Sequence, residues 1–389
     1  MTRSFFYALF LGPLAVCATA AGCSDDPEPT PVEPPAEAGI DAPQVIDTGT
    51  PETGPTCDGD ILGDGIARHL RCAGLYSDFA QKTIAADAKE FKPGVEFWSD
   101  GATKKRWIQL PANSKIDTAN MDEWIFPAGT KLWKEFALGG KRVETRLYVK
   151  TSTGWSHTTY RWNADETDAE RKDQGEKIAG LGPDGGVYEI PSTGQCDVCH
   201  NGRKEPVLGF EAVSLGLPTA TGQTLATLAS EGTLTAPPAK TALTFPEDST
   251  NKAAAALGWV HANCGSCHNA NEGAGAVFRA HFLVRASQLG TDAGDGGSVN
   301  DLDLWTQGYC RASSRPTPDG GGGTDAGNYY IIKGGAPDES LMHVLASQRA
   351  VPPDEPSSSN QMPPLVTHAV DVNGIKQFTD WIAALPPCP

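Results

Sequence analysis

Short runs of apolar and aromatic residues, broken by turn residues, dominate the second quarter of this chain. Residues 104–110, 133–138, 141–150 and 155–162 are rich in aromatic and β-branched side chains. Pro111, Gly129, Gly139-Gly140 and Gly154 separate them. This pattern predicts a small antiparallel β structure. Trp98, Trp107, Trp124, Trp133, Trp155 and Trp162 all fall within it and are expected to form its core rather than a substrate platform. The period changes on either side. Residues 66–70 and 79–86 carry helical signals, and 251–263 is Ala-rich before Leu257, Trp259 and Val260. Over 371–385, Val372, Ile375, Phe378, Trp381, Ile382 and Leu385 recur at helical spacing. Met342 sits in an amphipathic helical run over 339–347. The expected fold class is α+β, with an antiparallel β-rich domain followed by an α-helical domain.

The N-terminus has a different character. Arg3 and the apolar run from Phe5 to Val16 make an export signal over 1–22, its apolar part shorter than the roughly 20 residues of a spanning helix. The run Ala20-Ala21-Gly22-Cys23 resembles a bacterial lipoprotein cleavage box, with Cys23 as the lipidated residue, although Ala20 stands where such boxes usually carry Leu. Cys17 is the rival, preceded by the bulky Val16, and an ordinary secretory cleavage near the same place is the other reading. Residues 23–56 are rich in Pro, Glu, Asp and Thr. They carry too little apolar surface to offset ordering entropy and read as a disordered acidic tether.

Two stretches read Cys-x-x-Cys-His: Cys196 to His200, and Cys264 to His268. This is the attachment signature of c-type haem. Thiols three residues apart lie on one side of a helical turn and reach both vinyl groups of one porphyrin. The next residue falls on the same side and offers its imidazole to iron. Cys196, Cys199, Cys264 and Cys267 are thus expected to tether two covalent haems, with His200 and His268 as proximal ligands. A dithiol redox pair or a zinc site is the plainer reading of Cys-x-x-Cys. Zinc needs both pairs to converge on one ion and leaves the trailing histidines unexplained. Histidine is scarce, 8 in 389 residues, so its place after both pairs is informative.

Cysteine arithmetic agrees with an oxidising compartment. Of 10 cysteines, those outside the signal, the lipid site and the haem motifs are Cys57, Cys72, Cys310 and Cys388. An even remainder suggests bridges, paired here as Cys57 with Cys72 and Cys310 with Cys388. The formal charge of −17 argues against nucleic-acid binding. It suits a basic redox partner, and equally a plain solubility role.

The residues around the second motif resemble a compact cytochrome c domain: a helix leads into Cys264 and a last helix ends the chain. Met362, followed by Pro363-Pro364, stands just before that last helix, where a stiff loop holds a thioether against iron. It is assigned as the second haem's distal ligand. The first haem has no local downstream methionine; His157, Met121, His261 or nothing at all fills its sixth position. A filled site means electron relay, and an open one means chemistry on peroxide or another small oxidant. The chain therefore divides into a signal at 1–22, a tether at 23–56, a β-rich domain ending in the first motif at 57–215, a linking segment at 216–250 and a cytochrome c-like domain at 251–389. The last holds a Gly/Asp-rich insertion at 288–328, expected to be solvated.

A wider set of residues carries a family resemblance. It comprises Phe97-Trp98-Ser99-Asp100 with Lys104-Lys105-Arg106, Phe126-Pro127-Ala128-Gly129-Thr130, Glu144-Thr145-Arg146-Leu147 and Tyr160-Arg161-Trp162-Asn163. The two haem motifs, Pro337-Asp338-Glu339-Ser340-Leu341 and Met362-Pro363-Pro364 complete it. Over residues 91–385 the chain resembles a family of bacterial di-haem c-type cytochromes with a β-rich N-terminal region. The resemblance implies haem binding and single-electron transfer, and no substrate. The expected protein is an exported, lipid-anchored electron carrier facing the periplasm or cell surface. A peroxidase-like enzyme with an open first haem, and a haem-bearing redox sensor, are the alternatives.

Overall fold

A computed structural model describes residues 57–270, 280–290, 297–313, 329–349 and 361–389. The expected signal and tether, Cys17, and Cys23, the expected lipidation residue, lie outside the described residues. Residues 56–389 form one compact unit.

Strands β3 (Lys89–Lys92), β4 (Thr103–Gln109), β5 (Lys131–Leu138), β6 (Lys141–Lys150), β7 (Trp155–Trp162) and β8 (Ala169–Arg171) follow each other as an antiparallel meander. A short strand, β11 (Thr221–Gly222), adds to the β3 edge and completes seven strands in the order β11-β3-β4-β5-β6-β7-β8. Two hairpins flank the sheet: β1 (Tyr76–Asp78) with β2 (Thr83–Ile84), and β9 (Glu176–Ala179) with β10 (Val187–Ile190).

The sheet buries both faces, because side chains alternate along each strand. One face carries Trp107, Trp133, Leu147, Tyr160 and Trp162, which pack with Ile66, Leu70, Leu75 and Tyr76 from the start of the described chain. These indoles are core. The other face carries Ile108 and Leu132, packed into a larger cluster that runs from Phe91 through Phe210, Leu257 and Phe282 to Phe378, Trp381 and Leu385.

The early helical signals do not become helices. Residues 79–86 form the turn and second strand of the β1–β2 hairpin, where Lys82 takes φ 54°. Phe79 stacks on Trp162 with ring centroids 5.4 Å apart. In the 66–70 region only the 3₁₀ turn Leu70–Cys72 forms. Here tertiary packing overrides local periodicity: Ile66 and Leu70 serve the tryptophan core, and Cys57–Cys72 closes the segment as a disulfide.

Seven helices are described: α1 (Thr193–His200), α2 (Ala212–Gly216), α3 (Leu225–Ser230), α4 (Ala253–Asn263), α5 (Asp303–Gly308), α6 (Leu341–Ala346) and α7 (Val372–Ala384). No helix among the described residues is long and apolar enough to cross a membrane. The segment 216–250 is irregular apart from α3 and β11, yet Leu225, Leu228, Leu234 and Leu243 fix it in the larger core. The stretch 288–328, expected as a solvated insertion, contains a packed part. Val299, Leu302 and Leu304 are buried, and Cys310 bonds Cys388 beyond α7. The acidic and glycine content hid these three apolar anchors.

Helices α4 and α7 lie against each other. The Trp259 and Phe378 rings are 5.7 Å apart, and Trp259 Nε1 donates to Asp371 Oδ2 at 2.8 Å. Asp371 also caps α7, accepting from the Gly374 amide at 3.0 Å. A side-chain carbon at 374 would collide with the Trp259 indole nitrogen and with Asp371. Helix propensity alone would favour alanine there by about 1 kcal/mol. Packing reverses that sign. Gly374→Ala is expected to destabilise the protein by about 1–3 kcal/mol, measured as a lower denaturant midpoint.

Candidate functional site

Both Cys-x-x-Cys-His stretches fold as helical turns. The first lies wholly within α1, which opens on a Ser192/Gln195 capping box. Glu189 steadies that box by accepting from Gln195 Nε2 at 2.7 Å. The second follows α4, whose first amides, at Ala253 and Ala254, are capped from a distance by Glu247 at 3.1 and 3.2 Å. Beyond α4 the His268 amide reaches back to the Cys264 carbonyl at 2.9 Å, which sets Cys264 and His268 one turn apart.

The two motifs meet. Gly202, just beyond α1, packs so closely on the Ser266 carbonyl that any side-chain carbon would overlap it. Cys267 Sγ lies 3.6 Å from the Val198 carbonyl oxygen. The Cys199 and Cys267 thiols hydrogen-bond to each other, which draws Cys267 down to about 7 and drives Cys199 up. Burial pushes Cys264 up to about 12. All four motif cysteines are free thiols. They do not converge as metal ligands: among the described residues the one three-ligand constellation is His69, Asp168 and Glu170. That group is internally satisfied, with His69 Nδ1 at 2.6 Å from Asp60 and Asp168 paired to Arg71.

Burial holds both motif histidines neutral. His200 is pushed down to about 3 and His268 to about 4. His200 Nδ1 lies 2.6 Å from the Pro206 carbonyl oxygen, a contact that fixes the tautomer and leaves Nε2 for a ligand. Tyr148 stacks on His200 at 4.5 Å, and His157 stacks on the far side of Tyr148 at 4.8 Å. His268 stacks on Phe282 at 4.7 Å.

A shallow cleft adjoins His200. Arg106, Lys134, Arg146, Tyr148 and Pro206 share its lining. A second cleft shares Arg106 and Lys134 with the first and reaches Ser266 and Leu283 at the other motif. Neither the basic lining nor the Tyr148 ring was picked out by sequence reasoning. The signal was present in Lys104-Lys105-Arg106 and Glu144-Thr145-Arg146, but it takes strand register to place those charges together.

The other residues considered as ligands are each engaged. His261 is buried, with Nδ1 accepting from the Val284 amide at 3.2 Å and Nε2 at 3.3 Å from Glu211. Met121 Sδ accepts from Trp124 Nε1 at 3.4 Å and packs on the larger core. His157 Nε2 lies 3.3 Å from the Thr193 carbonyl oxygen and 3.5 Å from Asp197. Met362 sits between α6 and α7, its amide donating to the Leu345 carbonyl at 2.8 Å and its own carbonyl 3.3 Å from the Arg349 guanidinium. Met342 packs against the larger core.

No protein-family model, curated protein or solved structure matches this chain. The site therefore has to be interpreted from its own geometry.

Glu211 ties the first motif's loop to α4. It accepts from the Val213 and Ser214 amides, both at 2.7 Å, and faces His261. Burial pushes its pKa up, but His261, the Arg203 charge and the Ser214 side chain outweigh that and bring it down to about 2. A carboxylate depressed in the folded state stabilises above its unfolded pKa of about 4.3 and loses that contribution as pH falls toward the folded value. Glu211→Gln is therefore expected to cost about 1–3 kcal/mol near neutral pH. In denaturation curves taken at successive pH values, the gap to the wild type should narrow below about pH 4.3.

Proposed function

We propose that the chain is an exported di-haem c-type cytochrome that carries single electrons. The observation that supports this most is the meeting of two Cys-x-x-Cys-His turns, each with unbridged thiols and a half-buried histidine held neutral. The residues fit the group. Cys196 and Cys199 would tether the first haem with His200 on its iron; Cys264 and Cys267 would tether the second with His268. Around His200 the fit is closest: one ring nitrogen is tied to a carbonyl, and the adjoining cleft holds two buried donors with no partner, Tyr148 Oη and Arg106 Nη1. When bound, the haems supply one-electron exchange at iron.

The protein's own residues hold the two attachment sites against one another and keep both imidazoles unprotonated. Sites so close make transfer from one to the other the natural use. Helices α4 and α7 pack on each other through Trp259, Phe378 and Asp371, which supports a cytochrome c-like reading of 251–389. Met362 is the proposed distal ligand there. We assign the export signal, the Cys23 lipid anchor and an acidic tether to the segment before residue 57, placing the folded body outside the inner membrane. The partner is a redox protein, and an acidic surface favours a basic one.

One observation favours a second reading. Among the described residues, His157, His261 and Met121 are each engaged elsewhere, which favours a first site whose sixth position takes a small oxidant such as peroxide.

Replacing Cys196 and Cys199 by serine should leave one covalent haem per chain in protein matured in the periplasm, as should the same change at Cys264 and Cys267. A haemochrome assay that finds equal haem in both variants and the wild type would rule out these attachment sites. Bound zinc in place of haem would return the metal-site interpretation. Met362→Ala should lower the second haem's potential and remove its thioether-to-iron charge-transfer band, while Met342→Ala changes neither. Peroxide added to the half-reduced protein separates the two readings: inert low-spin haems support the carrier, and turnover at a high-spin first haem supports the enzyme.

A further inference from the structure

The sheet face turned toward His200 carries a row that antiparallel strands normally avoid. Arg106 on β4 is directly opposite Lys134 on β5, and Lys134 is directly opposite Arg146 on β6. Like charges in direct cross-strand register repel and destabilise a sheet. This row is also central: the Arg106 side chain is only 4% exposed, and Lys134 and Arg146 are half-buried.

The neighbouring carboxylates compensate incompletely. Arg106 Nη2 meets Glu96 at 2.9 Å, with Lys104 4.0 Å from the same carboxylate. Arg146 makes two bonds to Glu144, at 2.9 and 2.7 Å. Lys134 is left with aromatic faces, its Nζ 5.0 Å from the Phe136 ring centre and 5.9 Å from that of Phe97. With Lys92 3.5 Å from Glu96, cations outnumber carboxylates on this face, in a chain whose net charge is −17. Arg106 Nη1 and Tyr148 Oη are buried without a hydrogen-bond partner, and both residues line the His200 cleft. A buried orphan donor costs about 1–3 kcal/mol unless something fills it. Arg146 and Lys134 lie near enough to Cys196 and His200 to act on both through space.

We infer that Arg106, Lys134 and Tyr148 form a dicarboxylate anchor that receives the two propionates of the haem carried by Cys196 and Cys199. The inference rests on the di-haem reading and deepens it. Two propionates add negative charge to this cation-rich face and supply acceptors for the orphan donors. A built-in cationic row also makes the first haem easier to reduce, because added negative charge on iron is stabilised nearby. These are positioning residues and touch no iron.

The test is redox titration of the matured holoprotein with each haem resolved, the second haem being marked by its Met362→Ala shift. Lys134→Met and Arg106→Gln should each retain two covalent haems and shift the first haem's reduction equilibrium at least tenfold toward the oxidised form, about 59 mV for one electron. Lys134→Arg should restore it. Glu96→Gln removes a competing carboxylate and should move the potential the opposite way, which keeps the test available where Lys134→Met fails to fold. Two haems with an unmoved first potential, or a shift confined to the second, would overturn the anchor while leaving the di-haem reading intact. A wild-type holoprotein without haem would remove both. A first-haem potential that responds to millimolar phosphate in the wild type and not in Lys134→Met would assign the cleft to a diffusible anion instead, and overturn the anchor.

Discussion

The contact between Gly202 and the Ser266 carbonyl sets the architecture of the site. One backbone lies on another with no room for a β-carbon. This contact brings the end of α1 to the turn after α4 and sets Cys199 against Cys267. The elements behind it hold the approach. Glu211 links the α1–α2 loop to His261 on α4, and Asn263 Oδ1 accepts from the Trp98 amide at 2.7 Å. Asp100 accepts from the amides of His368 and Ala369 at 2.8 and 3.0 Å, which draws in the segment before α7. The Phe97-Trp98-Ser99-Asp100 sequence is thus a clamp joining the sheet, the second motif and the chain end.

The sheet gives this site its electrostatic character. One face is closed by tryptophans and the N-terminal segment; the other presents a row of cations to the His200 cleft. Burial pushes Lys134 well below its ordinary value, and Arg106, Lys104 and Arg146 push it further. Such an arrangement is costly in the absence of anions. It places positive potential deep inside a strongly acidic protein, next to the histidine assigned to iron.

Much of the fold is legible in the order of residues. The four central strands follow the aromatic and β-branched runs, and α4 and α7 follow their apolar spacing, because in both cases local preference and final burial agree. The structure also joins Cys57 to Cys72 and Cys310 to Cys388, pairs that counting could suggest and proximity makes. Residues 66–70 and 79–86 misled because a helical period there is only the spacing of contacts to Trp107, Trp133 and Trp162. Val299, Leu302 and Leu304 were masked by the glycines and acids around them. The site's chemistry was legible as two motifs, but not their contact. No residue between Cys196 and Cys267 announces that Gly202 will lie on Ser266. The cationic row was likewise invisible, since Arg106, Lys134 and Arg146 are brought together only by register.

Electron paramagnetic resonance of the fully oxidised, matured protein reads the distance between the two proposed haems. Two ferric haems attached through touching motifs should give signals broadened by each other, and reducing one haem should sharpen the signal of the other. Two independent, unbroadened haem signals, or none, would contradict the account.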